Sequence, residues 1–192
     1  MNASSSAHDQ STYQIRFDWG PRALRVLAPA HITVVVDALP GGAVLDTGSV
    51  GGHVVRAGLA DRSAVARWIL ERQHENGGRT SVNVVAAGDV DESGATRFAL
   101  EDQLAAGALI DALISLGIDH TSPDAAVASA SFDGLRRACT HLLSASPSGR
   151  ALKEAGRSDE VAAAARVDTV DVVTVLGAPS PAAPSTTGPA AA

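Results

Sequence analysis

Apolar residues recur along the chain in two alternating patterns. Short β-branched runs, such as Ile32–Val36 and Val82–Ala87, are typical of strands that are buried on both faces of a sheet. Over Ala99–Leu116 the apolar positions instead follow the i, i+3, i+4, i+7 spacing of a helix, and Gly117 supplies a stop signal. This alternation of buried strands and helices predicts an α/β fold with a mixed sheet flanked by helices, a sandwich-like single domain.

The same two patterns predict further elements. Strands are expected at Tyr13–Phe17 and Ala43–Leu45, and Val172–Leu176 is expected to form a last, buried strand. Asp61 is the expected N-cap of a helix that continues to the turn His74–Thr80. Further helices are predicted within Asp124–Leu143, over Pro147–Ala155 and over Asp159–Arg166.

The two ends of the chain have the composition of disordered segments. Residues 1–12 are mainly polar, and residues 178–192 consist mostly of Pro, Ala, Ser and Thr. Such segments bury too little side chain to offset the entropy that is lost on ordering. The folded domain is therefore expected to span residues 13–177. Its core should be thin, because the chain has 37 alanines and six aromatic residues.

Charge and composition exclude several classes of protein. The formal net charge is -6, so the chain lacks the excess of Lys and Arg with which proteins bind nucleic-acid phosphates. No run approaches the length of a membrane span, and the polar first residues do not form a signal peptide, which predicts a cytoplasmic protein. Because Cys139 is the single cysteine and the histidines are scattered, neither a disulfide framework nor a zinc site is expected.

Carboxylates follow one predicted strand and begin one predicted helix. Asp37 comes directly after Ile32–Val36, and the carboxyl ends of strands form the ligand crevice of open α/β sheets. Glu101 and Asp102 stand early in the helix Ala99–Leu116, and carboxylate oxygens suit Mg²⁺. A structural interpretation is open at both places, since Asp is common in turns and acidic residues favour helix starts.

Two further segments have the composition of anion-binding sites. Successive glycines leave backbone N–H groups free to point at an anion, and an arginine can bind two oxygens at once. A flexible turn and an ordinary helix start with a surface arginine are the structural alternatives. The candidate residues are Gly48, Ser49, Gly51 and Gly52 in one segment and Ser148, Gly149 and Arg150 in the other.

The order of six segments between Tyr13 and Leu176 resembles the 2-phosphosulfolactate phosphatase family. The segments are RFDWGPRAL, VVVDAL, RSAVARWI, VVAAGD, EDQLAAGALIDAL and SGRALKEAGRSDEVAAAARVDTVDVVTVL. The resemblance implies an α/β phosphatase that depends on Mg²⁺. Such an enzyme hydrolyses a small anionic substrate, 2-phospho-3-sulfolactate, to 3-sulfolactate and phosphate, a step towards coenzyme M.

The resemblance also implies roles for individual residues. Asp37 matches the strand-end Asp of the family, Glu101 and Asp102 match its Glu-Asp helix start, and Arg150 ends its Ser-Gly-Arg segment. Asp37 and Glu101 are then the expected catalytic residues, and both would hold Mg²⁺ together with Asp102. The Ser-Gly-Arg segment would bind anionic groups of the substrate, and on their own chemistry the Gly48–Gly52 amides would do the same.

The chain departs from the family pattern after Leu39. Here Leu39 runs directly into Pro40-Gly41-Gly42, where the family has a longer segment, and Asp46-Thr47-Gly48 replaces an Asn-Gly loop. The alternative interpretation is a catalytically impaired homologue that acts as a small-anion binder or a structural protein.

A second copy of the chain is compatible with the pattern of small residues. Ala105, Ala108 and Ala112 share one face of a predicted helix, and small side chains let helices approach closely. The expected partner is a small anionic substrate, with neither nucleic acid nor membrane, and the pattern leaves a homo-oligomer open.

Overall fold

A five-stranded sheet lies at the centre of the computed structural model, which describes residues 8–177 of the chain. The central strands are β1 (Ile15–Trp19), β2 (Ile32–Val36), β3 (His53–Ala57), β4 (Val82–Ala86) and β7 (Thr174–Gly177), and β5 (Asp89–Val90) pairs separately with β6 (Thr96–Arg97). The helices are α1 (Gly20–Val26), α2 (Arg62–Asn76), α3 (Leu100–Ser115), α4 (Pro123–Leu135), α5 (Cys139–Ala145), α6 (Pro147–Glu154) and α7 (Ser158–Ala164). The predicted α/β fold with a mixed sheet is confirmed.

The strand order determines which strand ends meet. The order is β1-β4-β2-β3-β7, in which the first four strands are parallel and β7 runs antiparallel to β3. In the register of the sheet, Val36 at the end of β2 lies opposite both Ala86 and Ala57. The carboxyl ends of β1, β4, β2 and β3 therefore form one edge, at which Asp37 emerges from β2.

Strands β2 and β4 and helix α3 form the most buried part of the molecule. Every residue of β2 and β4 is buried, and so are twelve of the sixteen residues of α3. Helix α4 packs closely on α3. A Cβ added at Gly107 of α3 would lie only 2.1 Å from the carbonyl oxygen of Ala128 in α4, so a glycine is required there. Ala105, Ala108 and Ala112 are buried in this core, so this face is covered within the chain and is not available to a second copy.

Among the described residues, one predicted strand is absent, and two elements, β3 and α1, were not predicted. No strand forms at Ala43–Leu45 in the part of the chain that the structure describes, and the neighbour of β2 is instead β3. The apolar pattern did not predict β3, because Arg56 interrupts a run of only five residues. It did not predict α1 either, since Gly20-Pro21 indicates a turn, although proline is well tolerated in the first turn of a helix.

Strand β7 forms where the last strand was predicted, but its predicted burial is wrong. Val175 is 50% exposed and Leu176 is 52% exposed, because β7 pairs only with β3 and lies at the edge of the sheet. A β-branched run thus indicates a strand without determining whether the strand is central.

The folded part of the chain begins before the predicted boundary at residue 13. The side-chain amide of Gln10 donates to the carbonyl oxygen of Phe17 (2.9 Å) and accepts from its N–H (3.0 Å), so it pairs with the outer edge of β1. The predicted disorder of residues 1–7 and 178–192 lies outside the described residues. Across residues 8–177, no helix combines the length and the apolarity that crossing a bilayer requires.

Candidate functional site

Three predicted carboxylates gather at the carboxyl edge of the sheet. Asp37 follows β2, and the first turn of α3 brings Glu101 and Asp102 to the same edge. Glu101 is 3% exposed and Asp102 is 2% exposed, which is rare for carboxylates. The negative charges of Asp37 and Glu101 both raise the pKa of Asp102, so the three groups are electrostatically coupled.

Asp102 holds the turns that follow two central strands. Its Oδ1 accepts from the N–H of Ala38, and its Oδ2 accepts from the N–H of Gly88, both at 2.8 Å. Burial nevertheless raises the pKa of Asp102 to about 7, with those two hydrogen bonds opposing the rise and the neighbouring charges adding to it. Both oxygens of Asp102 are therefore occupied by main-chain donors.

Asp37 and Glu101 each keep one buried oxygen without a hydrogen-bond partner among the described residues. These atoms are Oδ1 of Asp37 and Oε2 of Glu101. Burial raises the pKa of Asp37, while the Arg56 charge lowers it and the Glu101 charge raises it further. Because an unpaired buried carboxylate oxygen is costly, these two atoms are suited to a cation or a proton that completes them.

The two unpaired oxygens fit a hard cation. Mg²⁺ prefers oxygen ligands, and it usually binds through one or two carboxylates while it keeps several waters. Over residues 8–177, no group of three or more His, Cys, Asp or Glu side chains has the arrangement of a metal site. Each oxygen of Asp102 already accepts a main-chain hydrogen bond, so in the described part of the chain the buried carboxylate oxygens without a partner that could take such a cation are those of Asp37 and Glu101.

A cavity of about 190 Å³ lies beside Asp37, where β2 and β3 end. Arg56 of β3 lines it, and Nη2 of Arg56 donates to the carbonyl oxygen of Asp37 (2.9 Å). Asp61 also lines the cavity, and its Oδ1 accepts from the N–H of Gly58 (2.7 Å). Burial raises the pKa of Asp61, against the hydrogen bond from Gly58 and the Arg56 charge.

Sequence reasoning did not place Arg56 or Asp61 in the site. Asp61 precedes α2 as predicted, but its carboxylate makes no capping hydrogen bond to that helix and instead binds Gly58. The signal for Arg56 is a charged residue inside an apolar strand. This signal depends on recognising β3, which the apolar pattern did not predict.

The predicted glycine segment lies at the opposite end of the sheet from Asp37. Gly52 precedes β3, and a Cβ added there would lie 2.3 Å from the carbonyl oxygen of His31, which precedes β2. A strand of five residues separates the two ends by roughly 16 Å. The segment also leads into a strand rather than a helix. The structure thus does not bring Gly48, Ser49, Gly51 and Gly52 to the carboxylates.

The predicted Ser-Gly-Arg segment forms the first turn of α6. The N–H of Gly149 donates to Oγ of Ser146 (3.1 Å), and a Cβ added at Gly149 would lie 1.9 Å from the carbonyl oxygen of Leu143. The glycine is therefore needed for a close contact with α5. Ser148 and Arg150 do not line the cavity beside Asp37, and Arg150 is exposed.

A family model described as 2-phosphosulpholactate phosphatase matches residues 17–179 of the 192-residue chain. The match includes the carboxylates, the cavity and all of the central strands except the first residues of β1. The chain belongs to this family. The 2-phosphosulpholactate phosphatase family is named for a phosphoric monoester hydrolase that acts on a small phosphorylated substrate. Among the curated proteins, none matches the chain.

Proposed function

We propose that this chain is a Mg²⁺-dependent phosphatase. Its substrate would be 2-phospho-3-sulfolactate or a similar small phosphorylated acid, which it would hydrolyse to 3-sulfolactate, or the corresponding acid, and phosphate. The observation that carries the proposal is the pair of unpaired buried oxygens, Asp37 Oδ1 and Glu101 Oε2, at the carboxyl edge of the sheet in a member of this family.

Asp37 and Glu101 would hold the cation through these two oxygens. When bound, Mg²⁺ supplies positive charge that offsets the negative charge of the phosphoryl group. Glu101 is almost completely buried, so its carboxylate acts in a medium of low dielectric, where its electrostatic interactions are strong.

Asp102 would act as a positioning residue rather than as a catalytic residue. Its two oxygens accept hydrogen bonds from Ala38, which follows Asp37, and from Gly88, which follows β4. These bonds fix the position of Asp37 relative to the end of β4. Such preorganisation keeps a reacting group in one geometry, which is a large part of what an enzyme contributes.

The proposal is tested with purified protein and a phosphate monoester, with and without Mg²⁺. We expect the wild type to turn over only with Mg²⁺, and Asp37→Asn and Glu101→Gln to lose a factor of at least about 100 in rate. Asp119→Asn is the control, because this exposed residue follows the far end of α3. Wild-type rates in both site variants would overturn the assignment.

A non-catalytic small-anion binder is the second candidate. It is favoured by the tight turn after Asp37, in which the N–H of Ala43 donates to the carbonyl oxygen of Gly88 (2.9 Å) and a Cβ added at Gly42 would lie 2.9 Å from the same oxygen. Stabilisation of the folded protein by phosphate or a sulfonate, without turnover of 2-phospho-3-sulfolactate or of a generic phosphate ester, would establish this alternative.

A further inference from the structure

We propose that Arg56 binds the oxyanion of the substrate, so that the cavity beside Asp37 is an anion subsite. The inference rests on the proposed phosphatase function, and it names the residue that would recognise the substrate. The ligand class is a small tetrahedral oxyanion, which a phosphate monoester and a sulfonate share.

The cavity has the size and the lining of a subsite for one such group. Its volume of about 190 Å³ corresponds to roughly six waters at about 30 Å³ each. Arg56 is the one cationic residue among those that line it. The other polar side chains at its wall are those of Asp37, Asp61 and Thr174.

The guanidinium of Arg56 has donors to spare. One N–H of Nη2 is used by the carbonyl oxygen of Asp37, and a guanidinium carries five N–H groups in a planar fork. Within residues 8–177, Arg56 forms no ion pair. The side chain is exposed, so an anion that enters the cavity can reach it. Its planar fork matches two oxygens of a phosphate or a sulfonate.

Arg56 and Asp37 line the same cavity and are joined by a hydrogen bond. The carbonyl group that accepts from Arg56 belongs to the same residue as the candidate catalytic carboxylate. An oxyanion that Arg56 binds in this cavity would therefore lie next to Asp37. Because the net charge of -6 repels anions at long range, a local cation at this position is needed for binding.

Other arginines are less suited to this role. Arg62, which begins α2, is already paired with Asp111 and Asp168 at 3.0 Å each. Arg150, the arginine that the sequence predicted, does not line the cavity. The geometry therefore favours Arg56 over the predicted Ser-Gly-Arg segment as the anion-binding element.

The test is thermal denaturation of the full chain with increasing inorganic phosphate and, in a second arm, methanesulfonate. We expect phosphate, methanesulfonate or both to stabilise the wild type, and the arm with the larger effect identifies the group that the cavity prefers. Arg56→Gln should weaken that binding roughly 10- to 100-fold, as expected for the loss of a charge-assisted pair. Arg56→Lys keeps the positive charge but lacks the planar fork, so its affinity for the anion should lie between those of the wild type and Arg56→Gln. Arg137→Gln is the control, because Arg137 is exposed, does not line the cavity and forms no ion pair with any residue in 8–177.

Unchanged binding in Arg56→Gln would overturn the inference, and so would a loss of binding in Arg150→Gln alone. If Arg56→Gln does not fold, Arg56→Lys carries the test through the same titration. A wild type that binds phosphate through Arg56 but turns over no ester would refute the proposed function and leave the subsite standing. Mg²⁺-dependent turnover with an unchanged KM in Arg56→Gln would support the proposed function and refute the subsite.

Discussion

Gly42 lies in the turn that carries Asp37, with its Cα facing both the Asp37 carboxylate and the end of β4. A Cβ added at Gly42 would lie 2.9 Å from the carbonyl oxygen of Gly88 and 3.0 Å from Oδ1 of Asp37. That oxygen is one of the two unpaired atoms of the site. The candidate site therefore depends on the absence of a side chain at one position as well as on the carboxylates.

We expect Gly42→Ala to displace the Asp37 carboxylate and to lower the Mg²⁺-dependent phosphatase rate by a factor of about ten or more. The cost in stability should be about 1–3 kcal/mol, as is usual for overpacking. Enzyme assays and urea denaturation measure the two effects. Gly78→Ala is the matched control, since among the described residues no heavy atom other than those of its chain neighbours lies within 4 Å of a Cβ added there. A Gly42→Ala protein with the wild-type rate would contradict the expectation.

Among the elements, α2 is tied to three neighbours through one side chain. Arg62 pairs with Asp111 of α3 and with Asp168 in the segment before β7, both at 3.0 Å. Its guanidinium also lies 5.0 Å from the ring centre of Phe132 in α4. By contrast, the pair of Arg67 with Asp171 joins α2 to the same segment through side chains that are both exposed.

Arg62→Ala should lower the free energy of unfolding by about 2–3 kcal/mol, because it removes several hydrogen bonds from a side chain that is 16% exposed and leaves two carboxylates without that partner. Arg67→Ala should cost less than about 1 kcal/mol, since exposed ion pairs contribute little. Urea denaturation of both variants gives the comparison. Equal losses would show that burial does not distinguish the two arginines.

The sequence patterns identified the elements whose signals are local. β2 is an uninterrupted β-branched run and α3 has a long, regular apolar pattern. Asp37 and the Glu-Asp pair occupy a strand end and a helix start, so their meeting at one edge could be predicted. The contribution of Arg56 and Asp61 could not, because it depends on β3 lying next to β2. The Gly48–Gly52 segment was misplaced for a related reason. The connection from β2 to β3 returns to the amino end of the sheet without a helix, and composition does not indicate at which end a glycine segment lies.

For the molecule as a whole, burial of carboxylates links folding stability to pH. Asp102 is 2% exposed, and its pKa of about 7 means that the folded protein holds a proton there that an unfolded chain would release. Burial raises the pKa of Asp37 and of Asp61 in the same direction. These three groups lie at the same edge of the sheet, so the candidate site contributes to the pH dependence of folding stability.

The ordinary pKa of an Asp, which we take for the unfolded chain, is 3.8, whereas Asp102 in the folded protein titrates at about 7. Between these values the folded state binds more protons, so the free energy of unfolding should fall as pH rises, by at most about 1.4 kcal/mol per pH unit for this group, and should level off above the higher pKa. Urea denaturation of metal-free protein with EDTA, from about pH 5 to about pH 8, measures this slope. Asp102→Asn should flatten it, because the amide does not titrate, while the exposed control Asp119→Asn should keep it. If Asp102→Asn retains the wild-type slope, another group binds the proton. Asp102, which accepts hydrogen bonds from Ala38 and Gly88, would then not cause the fall in the free energy of unfolding as pH rises.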